Sequence, residues 1–133
     1  MKIVYQKGDL LKSEFGVILH GVNTAGVMGA GVALAMKKKY PKLFEEYLSY
    51  CESWKHDRYV LMGKVLEWEA GDKMILNGFS QYGIGSGKQV SYDAIDEIMM
   101  TVNENFPARV VAMPMIGAGL GGGEAARGAD RAA

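Results

Sequence analysis

The stretch that most restricts the fold of this chain is Val17-Ile18-Leu19, followed by His20, a glycine-punctuated loop from Gly21 to Gly31, and then Val32-Ala33-Leu34-Ala35-Met36. A continuous apolar run suits a strand buried on both faces, as strands of parallel sheets are. Alanine, leucine and methionine favour a helix after the loop. Lys37, Lys38 and Lys39 fall at its C-terminal end, where positive charge suits the helix dipole.

The rest of the chain repeats this alternation. Ile3, Val4 and Tyr5 read as a strand closed by Gly8-Asp9. Pro41 can open a second helix as its first residue, and Phe44, Tyr47, Leu48 and Cys51 recur at three and four as one apolar stripe. Val65-Leu66 and Met74-Ile75-Leu76 read as two strands around the turn signal Ala70-Gly71-Asp72. A loop is expected from Phe79 to Val90. Ser91 then caps a helix with Ile95, Ile98, Met99, Val102 and Phe106 on its inner face, and Met100 is read as core beside Met99. Arg109 to Met113 is a last strand, followed by Pro114 and the glycine run Gly117 to Gly123. Strands alternating with helices imply an α/β fold, a three-layer α/β/α sandwich around a mixed, mostly parallel sheet. Ligands of such sheets bind outside the carboxyl ends of the strands, where both glycine loops fall.

At 133 residues the chain makes one domain. Fifteen basic residues balance fifteen acidic ones, which argues against a partner held through the backbone of duplex DNA. A small phosphorylated ligand remains open, because backbone N–H groups hold phosphate without net charge. The one cysteine, Cys51, rules out an internal disulfide and suits a reducing compartment. No stretch approaches the roughly 18 apolar residues of a membrane span, and the N-terminus enters a strand without a signal-like lead. The expectation is a cytoplasmic protein, in the host cytoplasm if viral, with no membrane partner.

The residues alone leave several sites open between structure and chemistry. Asn23 to Gly31 is either a phosphate cradle feeding a helix N-terminus or a tight turn. Gly117-Ala118-Gly119-Leu120-Gly121-Gly122 has the spacing of a dinucleotide loop. Eleven residues remain after Gly122, too few for the strand and acidic residue such a fold requires. Two cradles after two strands suit a diphosphate gripped from both sides. Asp9 is a turn former or an acceptor for an amino group such as that of adenine. His20 is a packed histidine or, beside Asn23, a functional one. His56 lies in a polar stretch and reads as solvated, and Lys37 to Lys39 as a wet helix face. No Cys/His cluster has metal-ligand spacing, and no cofactor is implied.

HGVNTAGVMGAGVALAMKKKYPK, preceded by KGDLL and followed by MPMIGAGLGGG, resembles macro domains, and among them the phage and yeast-type ADP-ribose 1″-phosphate phosphatases. The resemblance runs in order through Gly123. It implies that Asp9 and Leu10 contact adenine, that Asn23 bonds the distal ribose, and that Gly29, Ala30, Gly31 and Val32 line the first phosphate loop. Ile116, Gly117, Ala118, Gly119, Leu120 and Gly121 would close over the diphosphate. His20 and Asn23 are the implied catalytic residues, with His20 orienting or activating water at the anomeric phosphate. The implied activity is binding of ADP-ribose and release of the 1″-phosphate. Removal of ADP-ribose from modified protein or nucleic acid, or binding without turnover, are the alternatives. The implied partners are ADP-ribose or its 1″-phosphate and ADP-ribosylated macromolecules.

Two departures matter. The glutamate-deADP-ribosylating branch uses a lysine after the fourth strand and an aspartate in the second glycine loop. Here those places read Asn77-Gly78-Phe79-Ser80 and Gly121, so that covalent route is not expected. The family also continues past the glycines into a helix and a final strand beside the first, whereas this chain reads EAARGADRAA. The expectation is a macro domain over 1–123 lacking its C-terminal helix and strand, and an atypical tail over 124–133, disordered or frameshift-derived.

Overall fold

The computed structural model describes residues 1–84 and 90–114. In chain order the elements are β1 (Lys2–Gln6), β2 (Val17–Asn23), α1 (Gly31–Lys39), α2 (Pro41–Ser53), β3 (Val65–Ala70), β4 (Lys73–Gln81), α3 (Tyr92–Asn105) and β5 (Val110–Pro114). The strands form one sheet in the order β1-β5-β2-β4-β3. β1, β5, β2 and β4 run parallel, and only β3 is antiparallel, joined to β4 through the hairpin at Gly71. The parallel strands therefore send their carboxyl ends to one edge of the sheet.

Alternation along the strands splits the core in two. Ile18, Val22, Ile75, Phe79 and Ala112 pack with Met36 of α1 and Leu43, Tyr47 and Cys51 of α2. Val17, Leu19, Leu76, Val111 and Met113 pack with Ile95, Ile98, Met99 and Val102 of α3. This is the three-layer α/β/α arrangement expected from the alternating elements. In α2 the fully buried residues are Leu43, Tyr47 and Cys51, with Phe44 and Leu48 at the flanks. Tyr47 and Cys51 of the predicted stripe thus lie at its centre, joined by Leu43.

Three other expectations need correction. The segment read as a loop from Phe79 is strand as far as Gln81, since the ladder to β2 continues to that residue. Met100 is 61% exposed; Ile98 and Met99 already fill the inner face of α3, and the next position points outward. Helix α1 opens at Gly31, one residue before Val32, and β5 opens at Val110, after Arg109. The second glycine loop and the tail, 124–133, lie outside the described residues.

Candidate functional site

At the carboxyl edge of the sheet, β2 ends in a register shift between Val22 and Asn23, so that Val22 faces Phe79 while Asn23 faces Gln81. Such a bulge re-aims the side chain that follows it. Asn23 consequently organises the first glycine loop. Its Oδ1 accepts from the backbone N–H of Ala25 at 3.0 Å and of Val27 at 3.3 Å, and from the Tyr47 hydroxyl at 2.8 Å. Its Nδ2 donates to the Val27 carbonyl at 2.8 Å. Its second Nδ2 hydrogen has no partner given among the described residues. The Tyr47 phenol is held far above its ordinary pKa, mainly by burial, and so serves as a fixed neutral donor.

The loop is also strapped from behind. Thr24 donates its N–H to the Gln81 carbonyl at 3.0 Å, and its Oγ1 accepts from the Gly83 N–H at 2.8 Å. The Thr24 carbonyl accepts from Arg58 Nη1 at 3.1 Å, and Arg58 pairs with Glu52 at 2.9 Å. Gly26 sits at φ +82°, and a Cβ there would come within 2.8 Å of Leu48 Cδ1. Only glycine lets the loop lie this close to α2 in that conformation.

The loop delivers the chain to an open helix end. Ala30 is the N-cap of α1 and offers no side-chain hydrogen bond, while Gly31 takes φ +57°. The first bond back into the cap is Leu34 N–H to the Ala30 carbonyl at 3.1 Å. The N–H groups of Gly31, Val32 and Ala33 therefore lack intrahelical partners, at the positive end of the helix dipole. Gly29, Ala30 and Gly31 are exposed.

Across from this end lies the turn after β1. Asp9 caps a 3₁₀ turn over Leu10–Lys12, its Oδ1 accepting from the Leu11 N–H at 2.9 Å, and its carbonyl accepts from Gln6 Nε2 at 2.8 Å. Asp9 is exposed and Leu10 is buried. A cavity of about 300 Å³ joins the two features, lined by Gly8, Asp9, Leu10, Leu11, Gly31, Val32 and Ala35. That is the lower end of the size range of small-molecule sites. Asp9, Leu10, Gly31 and Val32 thus meet in one cleft. Gly29 and Ala30 precede it on the exposed approach to α1. Ile116 to Gly121 fall outside the described residues.

His20 is wholly buried. Its register partner in β4 is Asn77, and in a parallel pair the two side chains emerge on one face. Asn77 Nδ2 donates to the Leu66 carbonyl at 2.9 Å, which turns Oδ1 toward His20 Nε2 at 2.6 Å. Nε2 therefore carries the hydrogen, and Nδ1 is left as a buried lone pair with no partner among the described residues. Burial pushes the His20 pKa down to about 4, against a smaller upward pull from the Asn77 bond. The ring is neutral near pH 7. Sequence reasoning singled out His20 but missed Asn77, Tyr47 and Thr24. A polar residue inside an apolar strand, as Asn77 is within Met74-Ile75-Leu76-Asn77, was the available signal for the first of these.

A parallel sheet whose carboxyl edge holds a glycine loop, a helix N-terminus without a side-chain cap and a facing acidic turn defines an α/β domain with its cleft where ligands of such sheets bind. The macro domain family model matches residues 19–132, and the chain belongs to that family. The DNA ADP-ribosyl glycohydrolase of Mycobacterium tuberculosis is 33% identical over 127 residues, which cover 90% of this chain and 34% of that protein. The ADP-ribose 1″-phosphate phosphatase of Scheffersomyces stipitis is 33% identical over 85 residues, 58% of this chain and 49% of that one. The chain thus spans about a third to a half of the length of these curated relatives. Among solved structures, the macrodomain of Mycobacterium tuberculosis DarG superposes with a TM-score of 0.78 at 28% identity, covering 98% of this chain and 88% of that one.

Proposed function

We propose that this macro domain binds ADP-ribose and hydrolyses the bond joining a substituent to C1″ of its distal ribose. The observation that carries the reading is the single cleft in which Asp9 and Leu10 face Gly31 and Val32. Asp9 Oδ1 is engaged by Leu11, which leaves Oδ2 to accept from the adenine amino group while Leu10 gives the base an apolar contact. The free N–H groups at the start of α1 take the diphosphate, as helix N-termini do. Asn23, fixed by Tyr47 and its own loop, offers its remaining Nδ2 hydrogen to the distal ribose.

With the nucleotide held at these points, C1″ is positioned for attack. Water adds, the substituent departs with the bonding electrons, and it takes up the proton the water loses, so that ADP-ribose–X and water give ADP-ribose and HX. The described residues contribute mainly orientation and charge complementarity. His20 acts in this scheme as a positioning residue, since its Nε2–H holds Asn77 and ties β2 to β4 at mid-strand.

Phosphate is one departing group, as the likeness to the yeast-type phosphatases implies. A second reading, removal of ADP-ribose from DNA, draws support from alignment length: the glycohydrolase relative matches 90% of this chain and the phosphatase 58%. Calorimetric titration with ADP-ribose and AMP tests the binding claim. ADP-ribose should bind at least tenfold more tightly, because AMP lacks the second phosphate and the distal ribose. Equal affinities would overturn the reading. Incubation with ADP-ribose 1″-phosphate and with ADP-ribosylated DNA, reading released phosphate and released ADP-ribose, then decides between the two departing groups.

A further inference from the structure

Thr24 has no part in the ADP-ribose reading, yet it is 1% exposed and its N–H, carbonyl and hydroxyl are all engaged. Up to Val22↔Phe79 β2 and β4 run in one register, and after the bulge Asn23 stands opposite Gln81. The Thr24 N–H then donates to the Gln81 carbonyl at 3.0 Å. In a parallel ladder a residue that donates to position 81 accepts from the N–H of position 83 through its own carbonyl. Here that N–H, of Gly83, goes instead to Thr24 Oγ1 at 2.8 Å. The carbonyl so released accepts from Arg58 Nη1 at 3.1 Å. The hydroxyl thus stands in for a backbone acceptor, a substitution open to short hydroxyl side chains. Its consequence reaches Asn23 through one peptide plane. The Thr24 carbonyl and the Ala25 N–H belong to the same rigid unit, and the Ala25 N–H donates to Asn23 Oδ1 at 3.0 Å. While the carbonyl faces Arg58, the N–H on the other side of that plane faces Asn23.

We propose that Thr24 is a positioning residue: its hydroxyl holds the Thr24–Ala25 peptide in the orientation that fixes Asn23 for the distal ribose. The inference rests on the ADP-ribose reading above and adds the residue that sets the preference for ADP-ribose over ADP. Without an acceptor at Oγ1 the part-buried Gly83 N–H is left unpaired, a costly state. The replacement that a parallel ladder offers is the Thr24 carbonyl. Turning it from Arg58 toward β4 carries the Ala25 N–H off Asn23 Oδ1, and the amide loses one of the donors that orient it. The groups assigned to adenine and diphosphate lie on other segments, Asp9 and Leu10 on one and Gly31 and Val32 on the other, so they keep their places.

Calorimetric titration with ADP-ribose and with ADP, which differ by the distal ribose, tests this. Wild type should prefer ADP-ribose by at least about fivefold, the worth of one neutral hydrogen bond. Thr24→Val, which keeps the shape and removes the acceptor, should bind ADP-ribose about fivefold more weakly. Its affinity for ADP should stay within about twofold of wild type. Thr24→Ser, which restores the hydroxyl, should bind both ligands as wild type does. Asn23→Ala should lose the preference for ADP-ribose, and adding Thr24→Val to it should cost nothing more, since Thr24 acts through Asn23. Circular dichroism checks folding. Should Thr24→Val not fold, Thr24→Cys, whose sulfur is a weak acceptor, takes its place and should show the same selective loss at smaller size. Equal losses of both ligands in a folded variant would overturn the proposal and leave Thr24 a purely structural residue. Full ADP-ribose affinity in the folded variant, or additive losses in the double variant, would overturn it too. Equal affinity of wild type for ADP and ADP-ribose would overturn the ribose role of Asn23 and that of Thr24 with it, but not the diphosphate cradle. Failure of wild type to bind ADP-ribose at all would overturn the reading beneath both.

Discussion

A buried neutral histidine makes folding stability depend on pH in a calculable way. His20 has an ordinary pKa of 6.5 and a native one of about 4, because its ring lies wholly inside the layer between sheet and helices. Below pH 6.5 the unfolded chain binds a proton that native His20 does not. The contribution is therefore whole above that pH and drains away as pH falls toward 4. At about 1.4 kcal/mol for each pH unit separating the two values, the full loss is about 3 kcal/mol, and about 2 kcal/mol is gone by pH 5. The perturbation is His20→Gln, which keeps a donor for Asn77 Oδ1 but does not titrate. Urea unfolding of both proteins at pH 7 and pH 5 gives two stability differences. Carboxylates common to both proteins cancel, so the advantage of wild type over the variant should shrink by about 2 kcal/mol at the lower pH. Parallel pH dependence would refute the reasoning and show that His20 titrates normally or finds a proton-sharing partner. Nuclear magnetic resonance of wild type checks the same point without a variant: the His20 ring should stay neutral to well below pH 5.

Two further substitutions probe the glycine loop and the helix it feeds. Ala30→Asp should supply the missing N-cap of α1 and raise stability by about 1 kcal/mol in urea unfolding. It should also weaken ADP-ribose more than tenfold by titration, since a carboxylate would occupy the N–H groups assigned to the diphosphate; unchanged affinity would remove that helix end from the site. Gly26→Ala should cost about 1–3 kcal/mol of stability, given φ +82° and a Cβ 2.8 Å from Leu48 Cδ1. A loss below about 0.5 kcal/mol in denaturant unfolding would mean that the loop relaxes away from α2 freely.

The layers of the fold were legible because period and punctuation agree. Val17-Ile18-Leu19 could only be a strand covered on both faces, and both cores indeed meet at β2. Ser91 announced α3, and its Oγ accepts from the Ala94 N–H at 3.1 Å. What composition hid was anything decided across the sheet. Phe79-Ser80-Gln81 carries no periodic signal of its own, and it is strand because β2 lies alongside. Met100 looks like its neighbour Met99 until the helix is rotated against the sheet. Around the cleft, local chemistry left Asp9 open between turn former and acceptor and Asn23 to Gly31 between cradle and tight turn, and only the macro domain resemblance gave them ligand roles. Tyr47 and Thr24 could not be read locally, because their roles depend on partners at sequence separations of 24 and 59.

The contrast between two helix starts bears on how the proposed site would hold a diphosphate on a chain of zero formal charge. Helix α3 is closed in the usual way, by a serine side chain that satisfies one of its first N–H groups. Helix α1 begins at Gly31, and its N-cap, Ala30, makes no side-chain hydrogen bond. Leaving those donors open forgoes about 1 kcal/mol of capping energy, and water must serve them until a ligand arrives. Selection for stability alone would favour serine or aspartate in place of Ala30. The open terminus is retained beside a cleft and behind a loop that Asn23, Tyr47, Thr24 and Arg58 hold rigid. Attraction here comes from oriented dipoles rather than from lysine or arginine, so it acts over a few ångströms and selects for fit. On this logic specificity for what is attached to the ribose must come from contacts beyond the cradle.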